Sequence, residues 1–306
     1  MGKEALILPR RLAKGDLIGI AAPASPFDAD EFASGVSVLE VMGLRVYIPE
    51  GIHRRRGYLA GSDSQRAELL NGLFENRHIK AIICARGGFG SSRLLQYLDY
   101  EAIKKNPKIF VGFSDITAIL SALYTRCGLV TYHGPLVTTF GDADRVTLES
   151  LRAVLMSDKK ILVKPKNSVV IKKGVAAGPV SGGNLSILCH MLGTSVQPDH
   201  NGHILFVEER GEAPYRIDRM LTHLKQARCF EGLAGLIIGS FEGCGDYNEV
   251  LKIFSDITGS FDFPVISGFE AGHGKTNITI PMGLAARLDT YKKTLAFARA
   301  ATSFAE

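Results

Sequence analysis

The stretch KIFVGFSDITAIL, residues 108–120, is an apolar run that passes through a serine-containing turn into a second apolar segment. Three similar apolar runs come before it, and amphipathic segments separate them. The four runs span residues 17–22, 44–48, 81–85 and 109–113, and the helix-like segments lie near 28–42, 62–76 and 92–105. Strands and helices that alternate at this spacing predict an α/β fold, with a parallel sheet covered by helices.

The carboxyl ends of these strands carry the segments best suited to bind a ligand. They read APAS at 22–25, RGGFG at 86–90 and GFSD at 112–115. In open parallel sheets, ligands gather outside the carboxyl ends of the strands. We therefore expect a cleft where these three segments meet.

The second half of the chain predicts a mixed α/β arrangement. Predicted strands lie at 203–207, 233–240, 264–267, 278–281, 284–288 and 294–298, with helices near 185–192, 215–227 and 247–257. Between the halves, the lysine-rich segment 157–174 lacks helical periodicity and favours short strands. We expect a nucleophile-bearing domain at 1–157, a linker at 158–175 and a second domain at 176–306.

Composition narrows the class of protein. With 306 residues, 46% hydrophobic and 22% charged, the chain is globular and long enough for two domains that share one cleft. A net charge of +5 and the absence of a nucleic-acid-binding motif argue against nucleic acid as a partner. The basic run at 53–56 is best interpreted as a solvated loop.

Cysteine usage and hydropathy predict a cytoplasmic location. The five cysteines form no C-x-x-C pair, which argues against a disulfide framework or a zinc knuckle. The apolar run at 17–22 is too short for a signal peptide, and Asp16 lies at its edge. No stretch of eighteen apolar residues occurs, so we expect no membrane span.

Ser114 is a candidate nucleophile. It lies between a buried strand and an apolar helix, where the helix dipole and free N–H groups favour a developing oxyanion. The G-x-S-x-G elbow pattern fails, because Ile116 occupies its last position. From this motif alone, a helix N-cap role for Ser114 or Asp115 is the simpler interpretation.

Three further features are candidates for the same site. The glycines of RGGFG allow backbone N–H groups to approach a ligand, although a tight turn is the alternative. Glu208 follows a predicted strand, and alternation places Glu209 on the opposite face. His273 lies between glycines in a loop, where a histidine without a role is also common. No H-E-x-x-H or similar motif occurs, so we expect no metal.

As an ordered set, the motifs resemble the LD-carboxypeptidase family of serine peptidases. The matching segments are AAPASP at 21–26, YLAGSD at 58–63, ARGGFG at 85–90, GFSDIT at 112–117, HGP at 133–135, GGNL at 182–185, EERGEAPYRIDRML at 208–221 and GHG at 272–274. Ala24 stands where many relatives have serine.

The resemblance implies specific roles and a specific fold. It implies a triad of Ser114, Glu208 and His273, an oxyanion hole from the backbone of Gly88 and Asp115, and no cofactor. It also implies a Rossmann-like N-terminal domain, a C-terminal domain with a β-barrel-like sheet, and a homodimer. Because the nucleophile precedes the expected domain boundary and the acid and base follow it, the triad would assemble across the two domains.

Two activities within this family and one outside it are compatible with the sequence. The first is release of terminal D-Ala from a muropeptide tetrapeptide during peptidoglycan recycling. The second is cleavage of aminoacyl or peptidyl nucleotides, as in the microcin C immunity peptidases. Those enzymes stack a tryptophan on the nucleobase, and this chain has no tryptophan. A non-catalytic small-molecule binding protein is the third.

Overall fold

A computed structural model describes residues 5–304, which fold around two sheets. The first sheet has the strand order β12-β5-β4-β3-β1-β2, where β12 is Ile280–Met282. Its parallel strands are β1 (Leu17–Ala21), β2 (Arg45–Tyr47), β3 (Ile79–Cys84), β4 (Ile109–Gly112) and β5 (Thr131–His133). The helices that follow these strands are α1 (Ala29–Val41), α2 (Asp63–Glu75), α3 (Tyr100–Lys105), α4 (Thr117–Cys127) and α5 (Arg145–Leu155). This confirms the predicted α/β class.

Side-chain caps set where the helices of the first half begin. Asp28 accepts hydrogen bonds from the N–H groups of the first turn of α1, and Ser62 forms a capping box with Gln65 at the start of α2. Asp99 caps α3 and thereby divides the helix predicted at 92–105. Its first part is instead a 3₁₀ helix, Ser91–Tyr97.

The second sheet has eight strands in the order β6-β14-β13-β8-β9-β10-β11-β7. These are β6 (Leu162–Val163), β7 (Val170–Lys172), β8 (Val175–Asn184), β9 (Ile204–Arg210), β10 (Gly235–Glu242), β11 (Val265–Ser267), β13 (Ala285–Asp289) and β14 (Thr294–Phe297). Its helices are α6 (Leu185–His190), α7 (Pro214–Gln226) and α8 (Tyr247–Thr258). Parallel and antiparallel pairs both occur, as predicted for a mixed domain.

The expected barrel-like closure is wrong. Within residues 5–304, the edge strands β6 and β7 do not pair with each other, so the sheet is open. The ten-residue strand β8 is also absent from the strands that the sequence predicts for this half of the chain. Its glycines permit close packing, since a Cβ on Gly183 would lie 2.6 Å from Thr117 Oγ1.

The chain crosses between the two halves more than once. Strand β12 (Ile280–Met282) belongs to the second half in sequence but pairs antiparallel with β5 at the edge of the first sheet. The expected linker at 158–175 contains β6 and β7, which are strands of the second sheet. In the expected division, residues 1–4 and 305–306 lie outside the described residues. No helix among residues 5–304 combines the length and the apolar character needed to cross a membrane.

Candidate active site

The backbone at Ser114 is strained in a way that exposes its hydroxyl. Strand β4 ends at Gly112, and a short 3₁₀ turn, Ser114–Ile116, leads into α4. Ser114 has a φ of +62°, in the left-handed region that non-glycine residues rarely adopt. A Cβ on Gly112 would lie 2.6 Å from Ile116 Cγ2. Glycine at 112 therefore makes room for the isoleucine that breaks the G-x-S-x-G pattern.

A continuous chain of hydrogen bonds joins Ser114, His273 and Glu208. The distance from Ser114 Oγ to His273 Nε2 is 3.0 Å, and that from His273 Nδ1 to Glu208 Oε2 is 2.6 Å. The Glu208 side chain is fully buried and that of His273 is 10% exposed. The imidazole also packs on the ring of Phe113, with centroids 4.8 Å apart. In this arrangement the imidazole can deprotonate the hydroxyl for nucleophilic attack, and the carboxylate can orient the imidazole.

The loop that carries His273 is held by helix α5 of the first half. Thr276 Oγ1 donates to the carboxylate of Asp144, the N-cap residue of α5. The Asn277 N–H donates to Thr147 Oγ1 at 2.9 Å. Asn277 Oδ1 in turn accepts from the Gly272 N–H at 2.9 Å. The histidine therefore comes from the second half of the chain but is positioned by the first.

Glu208 and Glu209 have different surroundings, as strand alternation predicts. Both are buried at the end of β9, but only Glu208 contacts His273. The Glu209 carboxylate accepts four hydrogen bonds, from Asn184 Nδ2, from the N–H and Oγ of Ser186, and from the Arg210 N–H. Glu209 is thus a buried anchor that fixes the start of α6 beside the cleft.

Two backbone N–H groups near Ser114, those of Gly88 and Asp115, are the candidates for binding an oxyanion. The Gly88 N–H donates to no acceptor within residues 5–304. The Asp115 N–H precedes the first internal hydrogen bond of its 3₁₀ turn, which runs from the Ile116 N–H to the Phe113 carbonyl. A Cβ on Gly87 would lie 3.0 Å from Ser114 Cβ, so a side chain at position 87 would crowd the Ser114 turn. Gly88 and Asp115, which carry the candidate donors, line the same cavity as Ser114.

The Asp115 side chain connects the glycine-rich loop to the Ser114 turn. Its carboxylate accepts from the Ser91 N–H at 2.8 Å, and its own carbonyl accepts from Ser91 Oγ. Burial raises the pKa of Asp115, and hydrogen bonds from the backbone of Ser91 and Gly90 oppose that shift. Position 115 therefore offers a backbone donor and also fixes the loop that carries the other one.

Arg66 was not singled out by sequence reasoning, although it holds the strand ends together. It is 1% exposed, and its guanidinium donates to the carbonyls of Pro23 and Gly90 and to the Asp63 carboxylate. Those carbonyls lie in the loops after β1 and β3. An arginine three residues after the helix-starting aspartate in YLAGSD was the available signal.

His133, a histidine from the HGP motif, lies behind the site. It is fully buried, and neither ring nitrogen has a hydrogen-bond partner within residues 5–304. Burial, and to a lesser degree the nearby His273, lowers the pKa of His133 to about 3. It is therefore neutral near pH 7.

The site opens into a cavity of 980 Å³ that is lined by both basic and acidic side chains. Arg86, Arg210 and Lys275 line it, and none of them forms an ion pair with a described residue. Asp28 and Asp142 are among its acidic lining residues. Residues 5–304 contain no group of three His, Cys, Asp or Glu side chains able to hold a metal ion.

Comparison with known proteins finds a family match in each half of the chain. Residues 18–134 match the LD-carboxypeptidase N-terminal domain, and residues 177–288 match the LD-carboxypeptidase C-terminal domain. A probable murein peptide carboxypeptidase of Bacillus subtilis is 35% identical over 295 residues, covering 94% of this chain and 92% of the relative. The microcin C7 self-immunity protein MccF of Escherichia coli is 30% identical over 326 residues, covering 94% and 95%.

A solved structure shows the same similarity in three dimensions. The muramoyltetrapeptide carboxypeptidase from Oxalobacter formigenes superposes with a TM-score of 0.84 at 30% identity, covering 95% of this chain and all of that one. Together with the two domain matches, these relatives show that the chain belongs to the LD-carboxypeptidase family.

Proposed function

We propose that this protein is a serine carboxypeptidase that hydrolyses the L,D peptide bond of muropeptide tetrapeptides and releases terminal D-Ala. The hydrogen-bonded chain from Ser114 through His273 to Glu208 carries the proposal, because it supplies a nucleophile, a base and an orienting acid. Two relatives whose names specify murein or muramoyltetrapeptide substrates support the substrate class.

In the proposed reaction, His273 Nε2 takes the hydroxyl proton as Ser114 Oγ attacks the scissile carbonyl. The N–H groups of Gly88 and Asp115 stabilise the oxyanion, and Glu208 stabilises the imidazolium. His273 then gives the proton to the leaving amine of D-Ala. Water, deprotonated by His273, hydrolyses the acyl-enzyme and restores the free serine.

The direct test is mass spectrometry of L-Ala-γ-D-Glu-meso-diaminopimelate-D-Ala incubated with the purified enzyme. We expect loss of one D-Ala, and a rate reduced about 10³-fold or more in Ser114→Ala and nearly as much in His273→Ala. The pentapeptide ending in D-Ala-D-Ala is the control, because its terminal bond joins two D-residues. Turnover by Ser114→Ala at the wild-type rate would refute the assignment of the nucleophile.

The same assay distinguishes the second candidate activity, cleavage of peptidyl nucleotides. The 30% identity to a microcin self-immunity protein favours it. The absence of tryptophan argues against it, because stacking on a base contributes about 1–3 kcal/mol. Cleavage of a peptidyl-sulfamoyl adenylate without any D-Ala release would favour the peptidyl-nucleotide activity over the carboxypeptidase activity. A fluorophosphonate probe tests the non-catalytic alternative, since an activated serine should be labelled.

We expect chelators to leave the rate unchanged, because the proposed mechanism needs only side chains and backbone N–H groups. The measurement is D-Ala release with and without EDTA. Loss of activity in EDTA that a divalent ion restores would contradict the serine mechanism.

The remaining assignments concern organisation and setting. We propose a division into 1–157, 158–175 and 176–306, a homodimer, and a cytoplasmic role in peptidoglycan recycling. All five cysteines are free and buried, which suits a reducing compartment. Light scattering of the purified protein would test the dimer.

A further inference from the structure

A second cavity, of 860 Å³, adjoins the catalytic one. Gly88, Asp115 and Ile187 line both cavities. Gly88 and Asp115 provide the two backbone N–H groups that flank Ser114. A substrate carbonyl bound by those groups would therefore have one cavity on each side of it.

The two cavities differ in charge and polarity. The catalytic cavity is rich in charged side chains: besides His273 it contains the unpaired cations Arg86, Arg210 and Lys275 and the carboxylates of Asp28, Glu31 and Asp142. The second cavity has fewer charged residues in its lining: Arg126 and His190 lie among apolar and neutral residues such as Leu95, Met191 and Val196. Among its described lining residues Asp115 is the one carboxylate, and Ser91 and Gly90 already engage it.

Phe89 is an exposed aromatic residue at the boundary between the cavities. It follows Gly88 directly, lines the second cavity and is 49% exposed. Its N–H donates to Ser25 Oγ at 3.1 Å, and its ring contacts the Tyr58 ring edge-on with centroids 5.5 Å apart. Covering the exposed part of this aromatic ring removes apolar surface from water, which is favourable. A ligand that covers Phe89 would thus gain affinity beside the reacting carbonyl.

We propose that the second cavity binds the acyl side of the substrate, the stem-peptide residues that precede the scissile bond. This assignment rests on the proposed function. The catalytic cavity then takes the single leaving residue, whose terminal carboxylate suits the unpaired cations and whose amine receives a proton from His273. Three acyl-side residues span about 10 Å when extended, at about 3.3–3.6 Å each, which suits a separate cavity better than a shared one.

Binding of the tripeptide product to an inactive enzyme isolates the acyl side. L-Ala-γ-D-Glu-meso-diaminopimelate is titrated by calorimetry into Ser114→Ala and into Ser114→Ala/Phe89→Ala. We expect about tenfold weaker binding in the double variant, equivalent to about 1.4 kcal/mol. Ser114→Ala/Tyr97→Ala is the matched control, because Tyr97 is similarly exposed at 48% but does not line the cavity.

Kinetics with Ser114 intact provide the second readout. Phe89→Ala should lower kcat/KM about tenfold for the tetrapeptide and less than threefold for N-acetyl-diaminopimelyl-D-Ala, which has one acyl-side residue. Unchanged tripeptide binding, or equal losses on both substrates, would overturn the second-cavity assignment. Failure of the wild-type enzyme to release D-Ala would instead overturn the proposed function, whatever Phe89→Ala does.

Discussion

At the scale of single residues, the backbone conformation of Ser114 lowers the stability of the fold and at the same time serves the proposed function. Its φ of +62° disfavours any residue with a Cβ, by about 1–2 kcal/mol relative to glycine. Such strain is typical of functional positions, where the surrounding structure enforces it. Here the enforcing contacts are the packing of Ile116 on Gly112 and the close approach of Gly87.

We therefore predict that Ser114→Gly is more stable than Ser114→Ala, although both variants are inactive. The two differ only in the Cβ that the left-handed conformation disfavours, so the difference should be about 1 kcal/mol. Denaturant unfolding of both variants measures it. Equal stability, or a more stable alanine variant, would show that the turn relaxes when the hydroxyl is removed.

We predict that substitution of Glu208 mainly affects catalysis and that substitution of the adjacent Glu209 mainly affects stability. Glu208→Gln keeps the volume but removes the negative charge that faces His273, so we predict a loss in kcat of about 10²–10⁴ with little change in Tm. Glu209→Gln replaces one acceptor oxygen with a donor amide against four existing donors, so it should mainly lower Tm.

Thermal melts and D-Ala release for both glutamine variants would check this pair. If Glu209→Gln abolished turnover while Glu208→Gln left it intact, the roles assigned to the two carboxylates would be reversed. Asp256→Asn is a control for amide substitution at an exposed carboxylate outside the described ion pairs.

Residue-level inference from sequence reached the three side chains that the structure joins in one hydrogen-bonded chain. It did so through ordered motifs, because neither Ser114 nor His273 has a decisive local signal. It could not reach Arg66 or the Thr147 contact to the His273 loop. Both depend on long-range packing that no local pattern records.

At the scale of elements, the buried arginine joins the loops at the strand ends. Removing one partner of a buried ion pair costs about 3–5 kcal/mol, whereas an exposed pair contributes about 0–1 kcal/mol. Arg93 offers a matched comparison, because it binds the same Asp63 carboxylate but its side chain is 45% exposed. Arg66 and Arg93 thus bind the same carboxylate, and the main difference between them is how far their side chains are exposed.

We predict that Arg66→Met lowers both Tm and kcat, and that Arg93→Met changes neither appreciably. The loss in kcat arises because the Gly90 carbonyl, two residues from Gly88, loses its anchor. Arg66→Lys should restore part of the stability but less of the kcat, since one ammonium cannot bridge all three acceptors. A kcat unaffected by Arg66→Met in folded protein would exclude a positioning role.

Elements that coincide with a clear apolar run were predictable, including the three-residue strands β2 and β11, and several elements without such a run were not. Strands β1, β3 and β4 are buried on both faces, and strands of this kind are near-continuous apolar runs in the sequence. Strand β5 has only three residues, and β8 is rich in glycine, which lowers strand propensity. Helix α5 was also missed, although Asp144 caps it and its apolar face is buried.

At the scale of the whole molecule, the two halves of the sequence share one core. A single apolar cluster joins Val111 and Tyr132 of the first sheet with Phe206, Ile237 and Ile280 of the second half of the chain. The Asn184 N–H also donates across the boundary to Thr117 Oγ1, at the start of α4. The pattern of strands and helices alone suggested two domains and gave no sign of these crossings.

We predict that the halves unfold together, in one calorimetric transition with a calorimetric enthalpy close to the van't Hoff enthalpy. The reason is that strand β12 completes the first sheet and follows the His273 loop directly, so the second half cannot unfold without exposing the edge of β5. Ile280→Asp places a charge at a fully buried position of that strand and should lower the single Tm without dividing the transition. Two resolved transitions in the wild-type protein would mean that the triad joins independently stable domains. A single transition, shifted as a whole by Ile280→Asp, would show that the site is intact only when the whole fold is intact. The reason is that each half supplies at least one member of the Ser114–His273–Glu208 chain, so unfolding of either half removes part of it.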